Sequence, residues 1–238
     1  MQIQDRVFIV TGASSGIGLS TAEALTERGA RVALVARSTQ VLEELAGRLP
    51  GSLPITADMT DFDSVGRAVK EAHAHYGRID GLVNNAGRSY AASVETIDPS
   101  MFDEIFHLNV LGPIIAMQSV IPIMRGQGGG SIVNVNSGTA FMTIPHYGVY
   151  SSSKRALLGF TQTARAELEK DAIVVGEVYP SVTATNFGKN RMGSGGPTGN
   201  YAEGDTPEFV AGLIVQAIEE GGAQYFANDH LKKLAGVV

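Results

Sequence analysis

A tyrosine and a lysine four residues apart are the side chains in this sequence best suited to proton transfer. They are Tyr150 and Lys154, in the run Tyr-Ser-Ser-Ser-Lys, and this spacing places both on one face of a helix. A phenol has an ordinary pKa of about 10 and is a poor base at neutral pH, but a nearby ammonium lowers that pKa. The pair therefore predicts acid–base chemistry, although Tyr-x-x-x-Lys alone also occurs by chance in helices without a catalytic role.

A glycine-rich turn follows the first apolar run of the chain. The sequence T-G-A-S-S-G-I-G begins at Thr11 and lies between a predicted strand and a predicted helix. Glycines at such a turn let the backbone approach a pyrophosphate, and the helix N-terminus offers free N–H groups and a partial positive charge. The residues predicted to hold a dinucleotide here are Gly12, Ser14, Ser15, Gly16, Ile17 and Gly18.

The residues after the second predicted strand indicate which dinucleotide binds. An acidic residue there would bind the adenosine ribose of NAD, whereas an arginine accommodates the 2′-phosphate of NADP. The sequence has Arg37 and Ser38, and the next acidic residue is Glu43. NADP(H) is therefore favoured over NAD(H). The alternative is that Arg37 is a surface residue and Ser38 only begins the next helix.

Short apolar runs alternate with segments of helical periodicity. Strands are predicted at residues 6–11, 31–36, 54–58, 81–84, 131–136 and 173–179, and helices at 17–28, 39–49, 62–76, 99–124 and 148–170. Strands that are apolar on both faces and separated by helices form a parallel sheet covered on both sides. We predict an α/β fold of three layers, the doubly wound Rossmann arrangement, with a mostly parallel sheet of about seven strands in the order 3-2-1-4-5-6-7.

One domain is predicted for residues 1–238, because no linker separates two apolar cores. Residues 186–204 break the alternation, since they are rich in glycine and poor in apolar side chains. They follow the sixth predicted strand and should overhang the carboxyl edge of the sheet, where doubly wound folds bind ligands. We predict a flexible lid over the substrate at about residues 186–206, with an idle surface loop as the alternative.

Composition argues against several classes of site and partner. The net charge is −6 and no basic run occurs, so no nucleic-acid partner is expected. The chain has no cysteine and its five histidines lack the pairing of metal ligands, so no metal site is predicted. The N-terminus lacks signal-peptide features, and we expect no apolar run that approaches the roughly 18 residues of a membrane span. We therefore expect a cytoplasmic protein with no membrane partner.

Between about residues 5 and 187, the chain resembles the short-chain dehydrogenase/reductase family. In that family the cofactor turn has the sequence T-G-x-x-x-G-x-G, which is found here from Thr11. The fourth strand ends in N-N-A-G, which is found here from Asn84 to Gly87. It also places a serine, here Ser137, thirteen residues before the tyrosine of Tyr-x-x-x-Lys. The resemblance implies hydride transfer between a nicotinamide and a carbonyl or secondary alcohol carbon.

The resemblance also implies roles for single residues. Tyr150 would be the acid in reduction and the base in oxidation, Lys154 would bind the nicotinamide ribose, and Ser137 would hold the substrate oxygen. Asn109 matches an asparagine that holds a water in a proton relay, and Asp58 matches a contact with adenine. Further cofactor contacts are predicted at Met59, Asn85, Ala86, Gly87, Pro180, Ser181, Val182, Thr183 and Thr185.

Three features depart from the family pattern. Pro-Ser, ending at Ser181, replaces the usual Pro-Gly, and whether Ser181, Thr183 or Thr185 reaches the cofactor stays open. Asn136 replaces the serine often found before the catalytic serine. The tail after Gly221 lacks the longer ending of the tetrameric acyl-carrier reductases, which argues against that role.

Residues 99–124 are apolar on nearly every face, which a helix covered only by its own sheet does not need. We predict that the second face is covered by another subunit in a homodimer or homotetramer, the alternative being a helix buried under local loops. The substrate is expected to be a small carbonyl compound or alcohol whose identity the sequence does not give. Its predicted wall residues are Arg88, Ser89, Tyr90, Thr139, Ala140, Phe141, His146, Tyr147 and Phe187.

Two other functions fit parts of the pattern. A non-catalytic NADP-binding redox sensor would share the fold and the cofactor turn, but it would not need Tyr150 and Lys154. An isomerase or dehydratase of sugar nucleotides would use T-G-x-x-G-x-x-G and a longer C-terminal half, and this chain has neither. The sequence does not fix the direction of the reaction, although NADP favours reduction.

Overall fold

Strands and helices alternate along the computed structural model, which describes residues 1–185, 187–188, 191–193 and 204–237. Its strands are β1 Val7–Thr11, β2 Arg31–Ala36, β3 Leu53–Thr56, β4 Gly81–Asn84, β5 Gly130–Val135, β6 Ile173–Tyr179 and β7 Gln224–Phe226. Its α-helices are α1 Gly16–Glu27, α2 Thr39–Arg48, α3 Phe62–Tyr76, α4 Pro99–Phe106, α5 Gly112–Gly126, α6 Gly148–Leu168, α7 Pro207–Glu220 and α8 Asp229–Leu234.

The strands of the described residues form one parallel sheet in the order β3-β2-β1-β4-β5-β6-β7, which confirms the predicted topology. β1 pairs with β2 on one side and with β4 on the other. The strand order therefore reverses at β1, and the loops after β1 and β4 leave the sheet in opposite directions. A ligand crevice is expected between these two loops, at the carboxyl edge of the sheet.

Helices cover both faces of the sheet. Phe8 and Val10 of β1 point to the face covered by α1, α2 and α7, where Leu25 of α1 is fully buried. Ile9 points to the opposite face, covered by α3, α5 and α6, where Val120 of α5 is fully buried. Because successive strand residues alternate between faces, a continuous apolar run such as β1 fits only a sheet buried on both sides.

The predicted helix at residues 99–124 is three segments. α4 leads into a π-helical stretch, His107–Leu111, which leads into α5.

α7 and α8 are absent from the sequence prediction, although both carry recognisable start signals. The side chains of Thr206 and Asn228 accept hydrogen bonds from backbone N–H groups in the first turns of these two helices.

The stretch Pro99–Gly126 has the length and mean hydropathy, 1.4, of a membrane span. The expectation that no run approaches that length is therefore wrong. One such helix is weak ground for a membrane protein, because the core helix of a soluble protein passes the same test. In this fold α5 packs against α3 and the sheet, with Ala116, Val120 and Met124 buried.

Candidate active site

A cavity of about 760 Å³ opens at the carboxyl edge of the sheet, between the loops that follow β1 and β4. The sequence-predicted site residues that line it are Gly12, Ser14, Ser15, Gly16, Ile17, Arg37, Ser38, Asp58, Met59, Asn85, Ala86, Gly87, Ser137, Tyr150, Lys154, Pro180, Ser181, Val182, Thr183 and Thr185. Two other predicted residues, Gly18 and Asn109, are buried behind the cavity wall.

The turn after β1 has a backbone that only glycine suits at three positions. Gly12 and Gly16 have positive φ angles of 68° and 54°. A Cβ on Gly12 would lie 2.8 Å from Nδ2 of Asn85, and one on Gly18 would lie 2.2 Å from the carbonyl oxygen of Gly12. The side chain of Ser15, at the N-cap of α1, makes no capping hydrogen bond. The turn is therefore a tight cradle whose helix N-terminus faces the cavity.

The loop after β4 is hydrogen-bonded to this turn. The Thr11 hydroxyl accepts from the backbone N–H groups of Asn85 and Ala86 at 3.0 and 3.1 Å. Nδ2 of Asn85 donates to the carbonyl oxygens of Thr11 and Gly12 at 3.0 and 3.3 Å. The T-G and N-N-A-G motifs, about 70 residues apart in sequence, thus form one rigid unit on the cavity floor.

One end of the cavity carries a cation and an anion at the ends of β2 and β3. Arg37 and Ser38 follow β2 and are exposed, and the Ser38 side chain makes no capping bond at the start of α2. Asp58 accepts from the N–H and hydroxyl of Thr60 at 2.9 and 2.8 Å. Burial acts to raise the pKa of Asp58, but the bonds from Thr60 and the charge of Arg37 outweigh it and lower the pKa.

The tyrosine and serine of the predicted catalytic set meet at the other end. Tyr150 is 6 % exposed and its phenol lies next to the Ser137 side chain, and the Thr139 hydroxyl lies 3.1 Å from Oγ of Ser137. Burial raises the pKa of Tyr150 to about 12. The Ser137 side chain acts to lower this pKa, and Tyr147 acts to raise it further. This direction is opposite to the lowering expected from the neighbouring lysine. The phenol is therefore set up here as a proton donor.

Lys154 lies beside the tyrosine ring, one helical turn along α6. Its Nζ is 5.9 Å from the centre of the Tyr150 ring and donates to the carbonyl oxygen of Val135 at 3.0 Å. Burial lowers the pKa of Lys154 to about 8, and the charge of Glu177 acts in the opposite direction. The ammonium is held at the end of β5, where it faces the cavity and the phenol together.

Asn109 lies in the π-helical stretch and fastens the loop after β4. Its Oδ1 accepts from the N–H of Arg88 at 2.9 Å, and its Nδ2 donates to the carbonyl of Arg88 at 2.9 Å and to Oγ of Ser153 at 3.1 Å. A Cβ on Gly87 would lie 3.2 Å from this Oδ1 and 3.8 Å from Nζ of Lys154. Asn109 therefore reaches the lysine only across Gly87, and its role in a proton relay stays a prediction.

The comparisons with known proteins assign the family. The family model described as short chain dehydrogenase matches residues 6–193. This chain belongs to the short-chain dehydrogenase family. It is also similar to dehydrogenase/reductase SDR family member 7B of Xenopus tropicalis, with 33 % identity over 233 residues that cover 92 % of this chain and 75 % of that protein.

Two crystal structures of other family members contain nicotinamide dinucleotides. The 3-ketoacyl-(acyl-carrier-protein) reductase of Brucella melitensis, complexed with NADH, matches with a TM-score of 0.87 and 25 % identity, covering 94 % of this chain and 97 % of that chain. A short chain dehydrogenase of Burkholderia cenocepacia, in complex with NADP, matches with a TM-score of 0.85 and 29 % identity, covering 99 % and 93 %. Because these two relatives hold different dinucleotides, the choice in this short-chain dehydrogenase rests on its own residues.

The residues predicted to form the substrate wall coincide only in part with the lining of the cavity. The predicted wall residues that line the cavity are Arg88, Ser89, Thr139, Tyr147 and Phe187. Tyr90, Ala140, Phe141 and His146 do not line it, so the structure does not place these four residues at the cavity. Phe141 instead packs on the ring of Tyr179, 4.9 Å between centres, and Tyr90 is 4 % exposed in a separate apolar cluster.

Several cavity residues of this family member were not predicted from the sequence. They are Thr60, Glu104, Leu108, Val135, Asn136, Gly138, Met142, Ile144, Gly188, Asn228, His230 and Leu231, together with Ala36 and Ala57. Of these residues, His230 and Leu231 lie in α8, and Asn228 is its N-cap. A Cβ on Gly138 would lie 2.5 Å from Leu231, so α8 packs tightly on the segment after Ser137. The Asn-Asp pair at residues 228 and 229 is a typical helix start and was the sequence signal that could have indicated α8.

The segment after β6 passes over the glycine turn. The Ser181 hydroxyl hydrogen-bonds the Asp205 carboxylate, and Thr183 pairs with Asp205 across an isolated bridge. A Cβ on Gly16 would lie 3.1 Å from Cγ2 of Thr185, which places Thr185 nearest the turn. The predicted lid at about 186–206 lies mostly outside the described residues, and its flexibility stays a prediction.

Proposed function

We propose that this chain is an NADP(H)-dependent oxidoreductase that interconverts a carbonyl group and a secondary alcohol, with Tyr150 as the acid–base residue. The observation that carries the proposal is the meeting of Ser137, Tyr150 and Lys154 in the same cavity as the glycine turn. A proton donor, an oxygen-binding hydroxyl and a dinucleotide cradle are the three parts that carbonyl reduction requires.

The cavity fits a dinucleotide on the evidence of its own backbone. Gly12 and Gly18 leave room that a Cβ would fill, and the start of α1 directs free N–H groups to that space. Arg37 and Ser38 would hold the adenosine end, Thr185 the diphosphate side, and Lys154 the nicotinamide ribose. When bound, the reduced nicotinamide supplies the hydride.

The protein supplies the proton and the orientation. Ser137 is placed to donate a hydrogen bond to the carbonyl oxygen of the substrate, next to the phenol of Tyr150. As the carbonyl carbon accepts the hydride, the oxygen gains negative charge and takes the Tyr150 proton, which yields the alcohol and a phenolate. The ammonium of Lys154 stabilises that phenolate, so its positive charge matters most when Tyr150 has lost its proton.

The preference for NADP(H) is supported by Arg37 and Ser38. Arg37 is exposed at the cavity rim, and among residues 1–185, 187–188, 191–193 and 204–237 its guanidinium makes no salt bridge. A guanidinium at this position can bind the 2′-phosphate of NADP. The same loop carries no carboxylate that could bind the ribose hydroxyls of NAD. NAD(H) is the less favoured alternative.

The substrate side of the cavity is mainly apolar. Met142, Ile144, Tyr147, Phe187 and Leu231 surround the space outside the catalytic serine and tyrosine. The rings of Tyr147 and Phe187 lie 6.2 and 5.9 Å from the Tyr150 ring. Such a wall supports a carbonyl compound with an apolar group, which includes small ketones, aromatic ketones and steroid-like ketones.

A second copy of the chain is the proposed partner. Phe102, Leu111 and Phe160 are 38, 37 and 50 % exposed on α4, the π-helical stretch and α6. Apolar side chains exposed on neighbouring helices favour burial in an oligomer. The dimer or tetramer and the cytoplasmic location both stay predictions.

The test compares NADPH and NADH as electron donors for a panel of ketones, using the wild type, Tyr150→Phe and a control, Tyr76→Phe. Loss of the Tyr150 hydroxyl should reduce turnover by about 10²- to 10⁴-fold and leave NADPH binding intact, because the ring remains and only the proton donor is lost. The Tyr76 hydroxyl bonds Gly51 outside the cavity, so its loss should leave turnover unchanged. Tight NADPH binding without turnover of any ketone would instead favour the redox sensor.

A further inference from the structure

A buried carboxyl group lies beside the catalytic side chains and has no part in the chemistry described above. Glu177 is on β6 with a residue exposure of 0 %, next to the end of β5 that carries Ser137. Glutamate is almost never fully buried unless it is paired. Neither the cofactor turn nor the Tyr-x-x-x-Lys motif accounts for it.

Two side chains donate hydrogen bonds to this carboxyl group, one to each oxygen. Nδ2 of Asn136 donates to Oε1 at 2.7 Å, and the Tyr179 hydroxyl donates to Oε2 at 2.8 Å. Nε2 of Gln224 donates to the Tyr179 oxygen at 3.0 Å, which leaves the Tyr179 proton for the carboxylate. Donors on both oxygens are the surroundings that an ionised carboxylate needs.

Asn136 connects the carboxyl group to two catalytic residues. Besides its bond to Glu177, Nδ2 of Asn136 donates to the backbone carbonyl of Lys154 at 3.1 Å. Its Oδ1 accepts from the backbone N–H of Ser137 at 2.9 Å. Both N–H groups and the oxygen of the amide are therefore used, which fixes its orientation. Through this one side chain, Glu177 is linked to the backbone of Ser137 and of Lys154.

The charged and titratable groups facing Glu177 come from α6 and β6. α6 contributes Lys154 and Arg165, and β6 contributes Tyr179, whereas β5 and β7 contribute amide side chains. Burial raises the pKa of Glu177 to about 7 and lowers the pKa of Lys154 to about 8, while the charge of Glu177 acts to raise the latter. An ionised Glu177 next to a protonated Lys154 is therefore the state expected at mildly alkaline pH.

We propose that Glu177 is a positioning residue for the reaction: its carboxylate fixes Asn136 beneath Ser137 and Lys154, and its negative charge keeps Lys154 in the ammonium form. This inference rests on the proposed function, because the charge of Lys154 matters only if Tyr150 transfers a proton. Glu177 acts through these neighbours, being separated from the cavity by Asn136. Asn136, the residue that departs from the usual family serine, is the matching half of the pair.

The test is the pH dependence of kcat for Glu177→Gln, measured with NADPH and a ketone that the wild type reduces. The amide has the same shape and keeps an oxygen for Asn136, but it lacks the charge that favours the ammonium. The alkaline limb of the profile should move down by about one pH unit, with KM for NADPH within about twofold of the wild type. A purely structural role would leave the alkaline limb in place.

Tyr179→Phe is the matched control, because it removes one hydrogen bond to the carboxylate and keeps the charge. Its alkaline limb should stay within about 0.3 pH units of the wild type. Asn136→Ala is the second variant. It cuts the link to Ser137, and it should lower kcat by about tenfold or more with KM for NADPH unchanged. Thermal melting shows which variants are folded. If Glu177→Gln does not fold, the kcat of Asn136→Ala tests the proposal instead.

The outcomes separate this inference from the proposed function. An active wild type, an inactive Tyr150→Phe and a Glu177→Gln profile that superimposes on the wild type would overturn the role of Glu177 alone. Wild-type kcat in Asn136→Ala would do the same. A wild type that reduces no ketone, or an active Tyr150→Phe, would count against the proposed function itself.

Discussion

Replacing Gly18 by alanine should destabilise the protein and weaken dinucleotide binding together. Gly18 lies in the first turn of α1, and a Cβ there would be 2.2 Å from the carbonyl oxygen of Gly12 and 2.5 Å from Nδ2 of Asn85. Neither neighbour moves easily, because Asn85 is itself hydrogen-bonded to Thr11 and Gly12. To restore ordinary contact distances, α1 must move away from the turn by about 1 Å.

The expected cost follows from two opposing terms. Forcing a methyl group into a packed site costs about 1–3 kcal/mol, and the two rigid neighbours place Gly18→Ala near the upper end. The higher helix propensity of alanine returns about 0.5–1 kcal/mol. The free energy of unfolding should therefore fall by about 2 kcal/mol, or roughly 4–8 °C in Tm for a chain of this size. NADPH affinity should fall about tenfold or more, since the N–H groups at the start of α1 move with the helix.

Gly66→Ala in α3 is the matched control, because a Cβ at Gly66 meets nothing within 4 Å. That variant should gain about 0.5–1 kcal/mol and bind NADPH like the wild type. Urea unfolding gives the two free energies, and fluorescence titration gives the two affinities. If Gly18→Ala matched Gly66→Ala in both measurements, the close approach of α1 to the turn would not be a real constraint.

Two further substitutions test separate parts of the structure. Arg37→Ala should raise KM for NADPH by about 10–100-fold and leave KM for NADH unchanged, since it removes a charge-assisted bond to the 2′-phosphate. Arg48→Ala, at the far end of α2, is the control. Equal effects of Arg37→Ala on both cofactors would refute the assignment. Asp80 is 3 % exposed and accepts from the N–H of Val7 and from two arginine side chains, so Asp80→Asn should lower the free energy of unfolding at pH 7 by about 2–3 kcal/mol. Burial alone would raise the pKa of Asp80, but these bonds outweigh it and lower the pKa below its ordinary value of 3.8. The stabilisation is therefore complete above pH 3.8 and is lost as the pH falls below it. In urea unfolding the difference from the wild type should therefore shrink as the pH falls below about 3.8, and a difference that did not change with pH would contradict the linkage.

The family, the sheet order and the position of the main motifs followed from the sequence. Each of the six strands located from the sequence is a short apolar run, whereas β7, Gln224–Phe226, was not located. Each main motif lies close to the end of one of these strands or on one helix. The T-G turn, the N-N-A-G segment and the Tyr150–Lys154 pair are local patterns whose geometry follows from one strand end or one helix face. Because parallel strands end at the same edge of a sheet, these local patterns placed the site there without any long-range information.

The predictions failed where a position depends on a distant partner. The π-helical stretch around Asn109 interrupts a segment whose apolar pattern is continuous, and α8 reaches the cavity from a tail whose pattern says nothing of its target. The pKa of Tyr150 is the clearest case. Sequence spacing gives its distance from Lys154 along the helix, but the burial that raises the pKa comes from elements far apart in the chain.

Residue types and local spacing are enough to find the side chains that could do the chemistry, whereas the way these side chains are held depends on the folded chain. Ser137, Tyr150 and Lys154 are recognisable because their types and spacings repeat a local motif. Glu177 and Asn136 are not, since they are 41 residues apart and meet only when β5 and β6 pair in the sheet. Local patterns record what a backbone segment does alone, whereas the energy of a buried charge depends on every neighbour that folding brings to it.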